Sequence, residues 1–386
     1  MDFSRFELLP NEILIEISDY LDARDTYYAF YGLNLRLNAL LLSLDRLYIY
    51  IHYNGRSRIR HDHLFALRVH TLIIDRNRLL DNLQQFPNIR HVIFIKSFEK
   101  KIEHVINQLN NLEHLTIKVK GQGGASRSIY QRIFTNDFPC LKSFIHKASH
   151  PPSLTNTWTQ TPSIHFLDVT SDFSRIHMFL AACPNLHFLK ITIPKLAVTL
   201  ADLKQHEKLQ RLHLTITTDQ LSFDELPFDS LFVCLPKLEY LYLQQSIMNI
   251  DMINNLKQSQ WLANVLARHL LSLRQFKLTL CLSANQHFDI QQLKTNFSKA
   301  PFDSLFVCLP NLEYLYLQQS IMNIDMINNL KQSQWLANVL ARHLLSLRQF
   351  KLTLCLSANQ HFDIQQLKTN FSKAHDQRYE HELKII

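Results

Sequence analysis

Glycine is scarce in this chain, five among 386 residues, and that scarcity excludes most loops that cradle phosphates. The one cluster, Gly121-Gln122-Gly123-Gly124, follows a strand-like run and precedes a helical one from Ser128. It completes neither a G-x-G-x-x-G nor the acidic residue a dinucleotide site needs, so it reads as a flexible loop. No G-x-x-x-x-G-K-[ST] and no G-x-S-x-G occurs. Charged residues are also few, 19% against 46% hydrophobic, a balance that argues against general disorder. The six cysteines, Cys140, Cys183, Cys234, Cys281, Cys308 and Cys355, contain no C-x-x-C pair, so buried reduced thiols are expected rather than a disulfide framework. That places the protein in a reducing compartment, cytoplasm or nucleus. No run approaches the roughly 18 apolar residues of a membrane-spanning helix. The opening MDFSRFELLP lacks the basic flank and apolar core of a signal peptide, so none is expected.

Histidine, by contrast, is plentiful. His61-Asp62-His63 and the His146, His150 pair have metal-like spacings, but the second runs into Pro151-Pro152 and neither has further ligands close by in sequence. No metal, no cofactor and no catalytic group is expected. Charge divides along the chain: residues 1–45 carry a net −5, and the remainder carries +13. That split points to two parts with different partners. The densest basic run, Arg56 to Arg78, is broken by apolar residues at strand-like spacing, so a solvated face is expected there rather than a nucleic-acid site.

The acidic part spans Phe6 to Leu41 and reads as three short helices. Pro10 suits a first helical position, with Glu12 in the first turn. Ile13, Leu14, Ile17, Tyr20 and Leu21 then recur at helical spacing. Asp22 suits an N-cap, Gly32 can take the left-handed conformation that ends a helix, and Leu35, Leu37, Leu40 and Leu41 supply a third apolar segment. A segment below about 40 residues rarely buries enough surface to stand alone, so it needs a second surface. The order Leu9-Pro10-Asn11-Glu12-Ile13-Leu14, then Leu21-Asp22-Ala23-Arg24-Asp25, then Asn34 to Leu40 resembles an F-box. In that family the three helices dock on the adaptor Skp1 and tether the protein to a cullin-RING ubiquitin ligase. The resemblance implies a Skp1-binding surface drawn from Leu9, Pro10, Ile13, Leu14, Ile17, Tyr20, Leu21, Leu33, Leu37 and Leu40. One departure is Leu37, where the family often carries Trp.

From residue 67 to 374 the chain repeats L-x-x-L-x-L, for example Leu112-x-x-Leu115-x-Ile117, Leu186-x-x-Leu189-x-Ile191 and Leu209-x-x-Leu212-x-Leu214. The unit at Leu141 and Phe144 has a poor third position, His146. Spacings of 20 to 39 residues fall in or near the leucine-rich-repeat range. Each unit supplies a short strand whose alternate residues point inward, and stacked units bury a core that no single unit could. Pro87, Pro139, Pro184, Pro236 and Pro310 precede the units and are expected to end the return segments. These units resemble the degenerate repeats of F-box proteins.

Residues 227–300 and 301–374 differ at one position, Lys237 against Asn311. This tandem copy spans two whole units and so keeps the register. Met252, Ile253, Leu256, Leu262, Val265, Leu266 and Leu270 could line a return helix inside the first copy. Residues 46–66 read as a connector and 375–386 as a tail.

The expected fold is α/β: an F-box, then a leucine-rich-repeat solenoid with a parallel concave sheet and convex helices. Outward positions offer a target-binding row of His91, His114, Phe166, Phe188, Arg211, Tyr240 and Gln275, with Asp168, Lys190, His213, Tyr242 and Lys277 beside it. Aromatics next to Arg and Lys are the composition of interface hot spots. The resulting expectation is a non-catalytic substrate-recognition adaptor of an SCF-type ubiquitin ligase, with a Skp1-like partner, a cullin-RING complex and an unknown protein target, and no membrane. A repeat scaffold without a ligase role, or a nucleic-acid binder, are the alternatives.

Overall fold

The computed structural model describes residues 8–45, 47–51, 65–75, 83–95, 99–109, 111–118, 127–148, 158–194, 204–217, 228–247, 265–266, 268–282, 312–321, 349–356 and 380–385. The chain forms two compact units, Met1–Ile164 and His165–Ile386.

The first unit opens with α1 (Asn11–Asp19), α2 (Ala23–Phe30) and α3 (Leu35–Ser43). Pro10 is the residue before α1 rather than its first member, with extended ψ 153. Asp22 caps α2 by accepting from the amides of Arg24 and Asp25, both at 2.9 Å. Asn34 caps α3 through the Leu37 amide at 2.8 Å. Gly32 carries φ +82 where the chain leaves α2, a conformation that strains any residue with a Cβ. Arg36 bonds the Leu9 carbonyl at 2.6 Å and Asn11 Oδ1 at 2.7 Å, which draws the start of α3 to the start of α1.

A parallel sheet follows, β1 (Leu47–Ile51), β2 (Val69–Asp75), β3 (His91–Ile95), β4 (His114–Lys118) and β5 (Ser143–Lys147), paired in chain order. Among the described residues two return helices lie between them, α4 (Glu99–Ile106) and α5 (Arg127–Phe134). Arg24 pairs with Asp22 at 3.0 Å and also bonds the Tyr50 carbonyl, so the cap of α2 is tied to β1. Asp22→Ala is expected to cost about 1–2 kcal/mol locally by freeing two amides at once. Hydrogen exchange of the α2 amides checks it, with faster exchange there than in β3.

The second unit repeats the plan with β6 (Phe166–Thr170), α6 (Ile176–Ala182), β7 (Phe188–Ile193), β8 (Arg211–Ile216), α7 (Phe228–Val233), β9 (Tyr240–Ile247), β10 (Gln275–Leu282), β11 (Tyr314–Ile321), β12 (Gln349–Leu356) and β13 (Glu380–Ile385). All neighbours are parallel and in chain order.

The leucine template is the core. Leu186, Leu189 and Ile191 are fully buried, as are Leu209, Leu212 and Leu214. From the return segments Tyr130, Phe134, Phe179, Phe228 and Phe232 fill the other side. Before the strands, the chain makes a turn in which the amide of the first leucine bonds the carbonyl three residues earlier. Examples are Leu141 to Phe138 at 3.0 Å, Leu186 to Cys183 at 3.0 Å and Leu238 to Leu235 at 3.2 Å. The prolines occupy the second position of these turns, where their fixed φ suits the geometry. A second bond pattern then sets the register: one carbonyl accepts two successive amides of the next strand. The Glu113 carbonyl takes Lys142 at 2.8 Å and Ser143 at 3.1 Å, and His165, His187, Gln210, Glu239 and Arg274 repeat the arrangement.

Three further sequence expectations need amendment. The segment read as a connector supplies β1, where Ile49 and Ile51 match Leu72 and Ile74 in register but a shift between Leu47 and Tyr48 sets Leu47, the partner of Val69, one residue too close for the leucine template. The segment read as a tail supplies β13, where His381 faces Phe350 in register and only Leu383 keeps the pattern. Cys140 is exposed, because it follows Pro139 in a turn, while Cys183 and Cys234 are buried. Of the expected stripe in residues 250–272, Val265, Leu266 and Leu270 are buried; Met252, Ile253, Leu256 and Leu262 lie outside the described residues.

Candidate interaction surfaces

The three helices separate an inner from an outer set of apolar residues. Leu14, Ala23, Phe30 and Leu37 are buried. Leu14 and Leu37, each 2% exposed, are therefore interior residues and not contacts for an adaptor, which corrects the sequence reading of both. Leu9, Ile17, Leu21 and Leu40 are half-buried; Pro10, Ile13, Tyr20 and Leu33 are exposed.

Further exposed apolar side chains are Leu35, which the sequence places in the third apolar segment, and Leu8, Ile15, Tyr28, Tyr31 and Leu42, which periodicity does not single out. Tyr20 is 80% and Leu35 87% exposed, values far from those of a closed bundle. The signal in sequence was apolar residues lying off the inward stripe. Tyr27 stacks on Tyr31 at 4.3 Å and leans on Phe65 at 5.7 Å, which holds α2 against the first unit.

On the first unit's sheet His91 and His114 are half-buried neighbours, 5.5 Å apart and edge to face. Burial lowers the pKa of both, and for His91 the neighbouring His114 adds to it. Beside them Glu113 binds Arg90 and Lys142, each at 2.6 Å, and those two hydrogen bonds hold its carboxyl below the usual range. This ladder sits at the residue after the first leucine, a position the sequence reading left aside.

The second unit's sheet brings the other expected residues together. Phe166 and Phe188 are register partners whose rings stack at 4.6 Å, and Arg211 and Tyr240 continue the row toward Gln275. In the next row Asp168, Lys190, His213, Tyr242 and Lys277 are register partners in that order. Asp168 is buried and lies 3.5 Å from Lys190, so it supports that lysine rather than meeting a ligand directly. His213 packs on Tyr242 at 3.9 Å, and the Lys277 ammonium sits 4.7 Å over the same ring. Burial pushes the His213 pKa down to about 3, and the charges of Lys190 and Lys277 act the same way, so this imidazole is neutral at physiological pH. Tyr314 and Tyr316 extend both rows by register and were not singled out from sequence.

Among the described residues no group of three or more His, Cys, Asp or Glu could hold a metal ion. His146 is buried and shares a 2.7 Å hydrogen bond with the Tyr130 hydroxyl; His61, His63, His150 and the glycine cluster lie outside the described residues. No described helix is long and apolar enough to cross a membrane. Comparison with protein-family models and with curated proteins finds no match for this chain.

Proposed function

We propose that the chain is the substrate-recognition subunit of an SCF-type ubiquitin ligase. Residues 1–45 act as an F-box on a Skp1-like adaptor, and the sheet units act as a leucine-rich-repeat solenoid that holds a protein target on its concave face. The protein breaks no bond itself; it raises the effective concentration of the target near a recruited conjugating enzyme. The observation that carries this reading is the outer apolar set on α1 to α3, left uncovered although Leu14, Ala23, Phe30 and Leu37 already form an interior. Apolar surface of that kind, contiguous or rimmed by polar residues, marks an interface more often than a free surface.

Co-expression of the full chain with Skp1 tests it. The wild type is expected to co-purify with the adaptor, and Ile13→Asp/Leu35→Asp to lose at least about tenfold of that capture, because both side chains are exposed and the charges meet the partner rather than the core. Absence of adaptor from both preparations would remove the ligase reading.

A further inference from the structure

We infer that the outward face of the second unit's sheet recognises an acidic segment of its partner protein, one that places carboxylates beside apolar side chains. The inference rests on the proposed function in taking this face as the target site. Its charge is one-sided: the outward positions of β6 to β10 that belong to the two rows contain Lys190, Arg211 and Lys277 against one carboxylate, Asp168. Asp168 is buried and lies 3.5 Å from Lys190, and the two rows hold no second carboxylate to set against Arg211 and Lys277. Neighbouring strands lie about 4.8 Å apart, so Lys190 and Lys277, three strands from each other, span about 14 Å. That separation suits several carboxylates of an extended or helical segment rather than one small anion.

The aromatics decide between an acidic protein and a single-stranded nucleic acid. Base binding uses open ring faces as platforms. Here Phe166 and Phe188 turn one face of each ring to the other, at an interplanar angle of 4°. The Tyr242 ring carries both His213 and the Lys277 ammonium. With these ring faces already engaged, the patch sets apolar surface beside cations, and this suits leucine or phenylalanine side chains interspersed with glutamate or aspartate.

The test uses the full chain and fluorescence anisotropy with a labelled peptide of alternating glutamate and leucine. The same peptide with lysine for glutamate and a labelled oligouridine strand serve as comparisons. The acidic peptide is expected to bind the wild type more tightly than either comparison. Arg211→Glu/Lys277→Glu is expected to weaken it by at least about tenfold. Lys204→Glu/Lys208→Glu makes the same change of charge in the segment before β8 and is expected to alter binding by less than about threefold. Should the charge-reversed face fail to fold by circular dichroism, Arg211→Gln/Lys277→Gln replaces it, with a loss of at least about threefold expected. Equal weakening by the on-face and off-face pairs, no acidic-peptide binding by the wild type, or tighter binding of oligouridine would each overturn the inference. Adaptor capture through α1 to α3 is expected to be unchanged in the on-face variants, so this inference and the ligase reading fail separately.

Discussion

Between about pH 7 and about pH 4 the first unit is expected to lose about 3 kcal/mol of stability through a single side chain, His146. This residue occupies the third inward position on β5, where the other units place an aliphatic residue or phenylalanine, and it is fully buried. Its neighbours are the Tyr130 ring at 5.3 Å and the Phe144 ring at 6.3 Å, together with the Tyr130 hydroxyl on Nδ1. Burial penalises the imidazolium and pushes the pKa from 6.5 down to about 4. The unfolded chain therefore binds the proton first as pH falls. The stability contributed by the neutral imidazole is complete above about 6.5, is lost progressively as pH drops, and has no more to lose once the folded form also protonates below about 4. At roughly 1.4 kcal/mol for each pH unit of that window, the loss reaches about 3 kcal/mol.

Urea unfolding at both pH values measures it. Trp158 stacks on Phe134 at 4.3 Å, beside Tyr130, and its fluorescence reports on this cluster. Tyr130→Phe/His146→Leu removes both ends of the hydrogen bond and should abolish about 3 kcal/mol of the pH dependence while His91, His114 and the carboxylates still titrate. A pH dependence identical in the variant and the wild type would sink the idea.

His146 also shows how far the sequence carries a reading of this kind. The repeat template located its position, because L-x-x-L-x-L states which side of each strand is inward. It could not say whether the polar residue there was a defect, a ligand or a satisfied core group, since the decision rests with Tyr130 on a different element. The same limit governs the first strand of the first unit and the last strand of the second. β1 escaped the template through a one-residue register shift, and β13 through polar residues at template positions. On the helices periodicity found the inward stripe, whereas the family resemblance assigned Leu14 and Leu37 to a partner that their burial excludes. Outward residues on strands were legible because alternation fixes both faces at once. Whether an outward residue is free is not legible, and Asp168 turned out to be buried against Lys190 because its neighbour in register is a cation.

Removing all of residues 301–374 is expected to disturb the protein far less than removing Tyr242 alone. Tyr240 pairs with Gln275, Gln275 with Tyr314 and Tyr314 with Gln349, so the near-identical copy begins again after one full pair of strands. Cutting it out joins Ala300 to His375 and leaves each remaining unit with a neighbour of the same register. In a stack held by nearest-neighbour contacts the cost is limited to the units removed. The circular dichroism per residue and the unfolding midpoint of the shortened chain are therefore expected to stay close to those of the full chain.

Deleting Tyr242 acts differently, because every residue after it in β9 moves to the opposite face. Leu243, now fully buried, would turn to water at about 1.5–3 kcal/mol, and Gln244 would turn into the core at a further cost of about 1–3 kcal/mol for its unmatched amide. The sum of about 2.5–6 kcal/mol is a large part of what holds a domain folded, and the second unit should melt early or fail to express. If the point deletion instead unfolds at the wild-type midpoint, or the 74-residue deletion collapses the chain, the second unit is not a register-locked stack of equivalent strands.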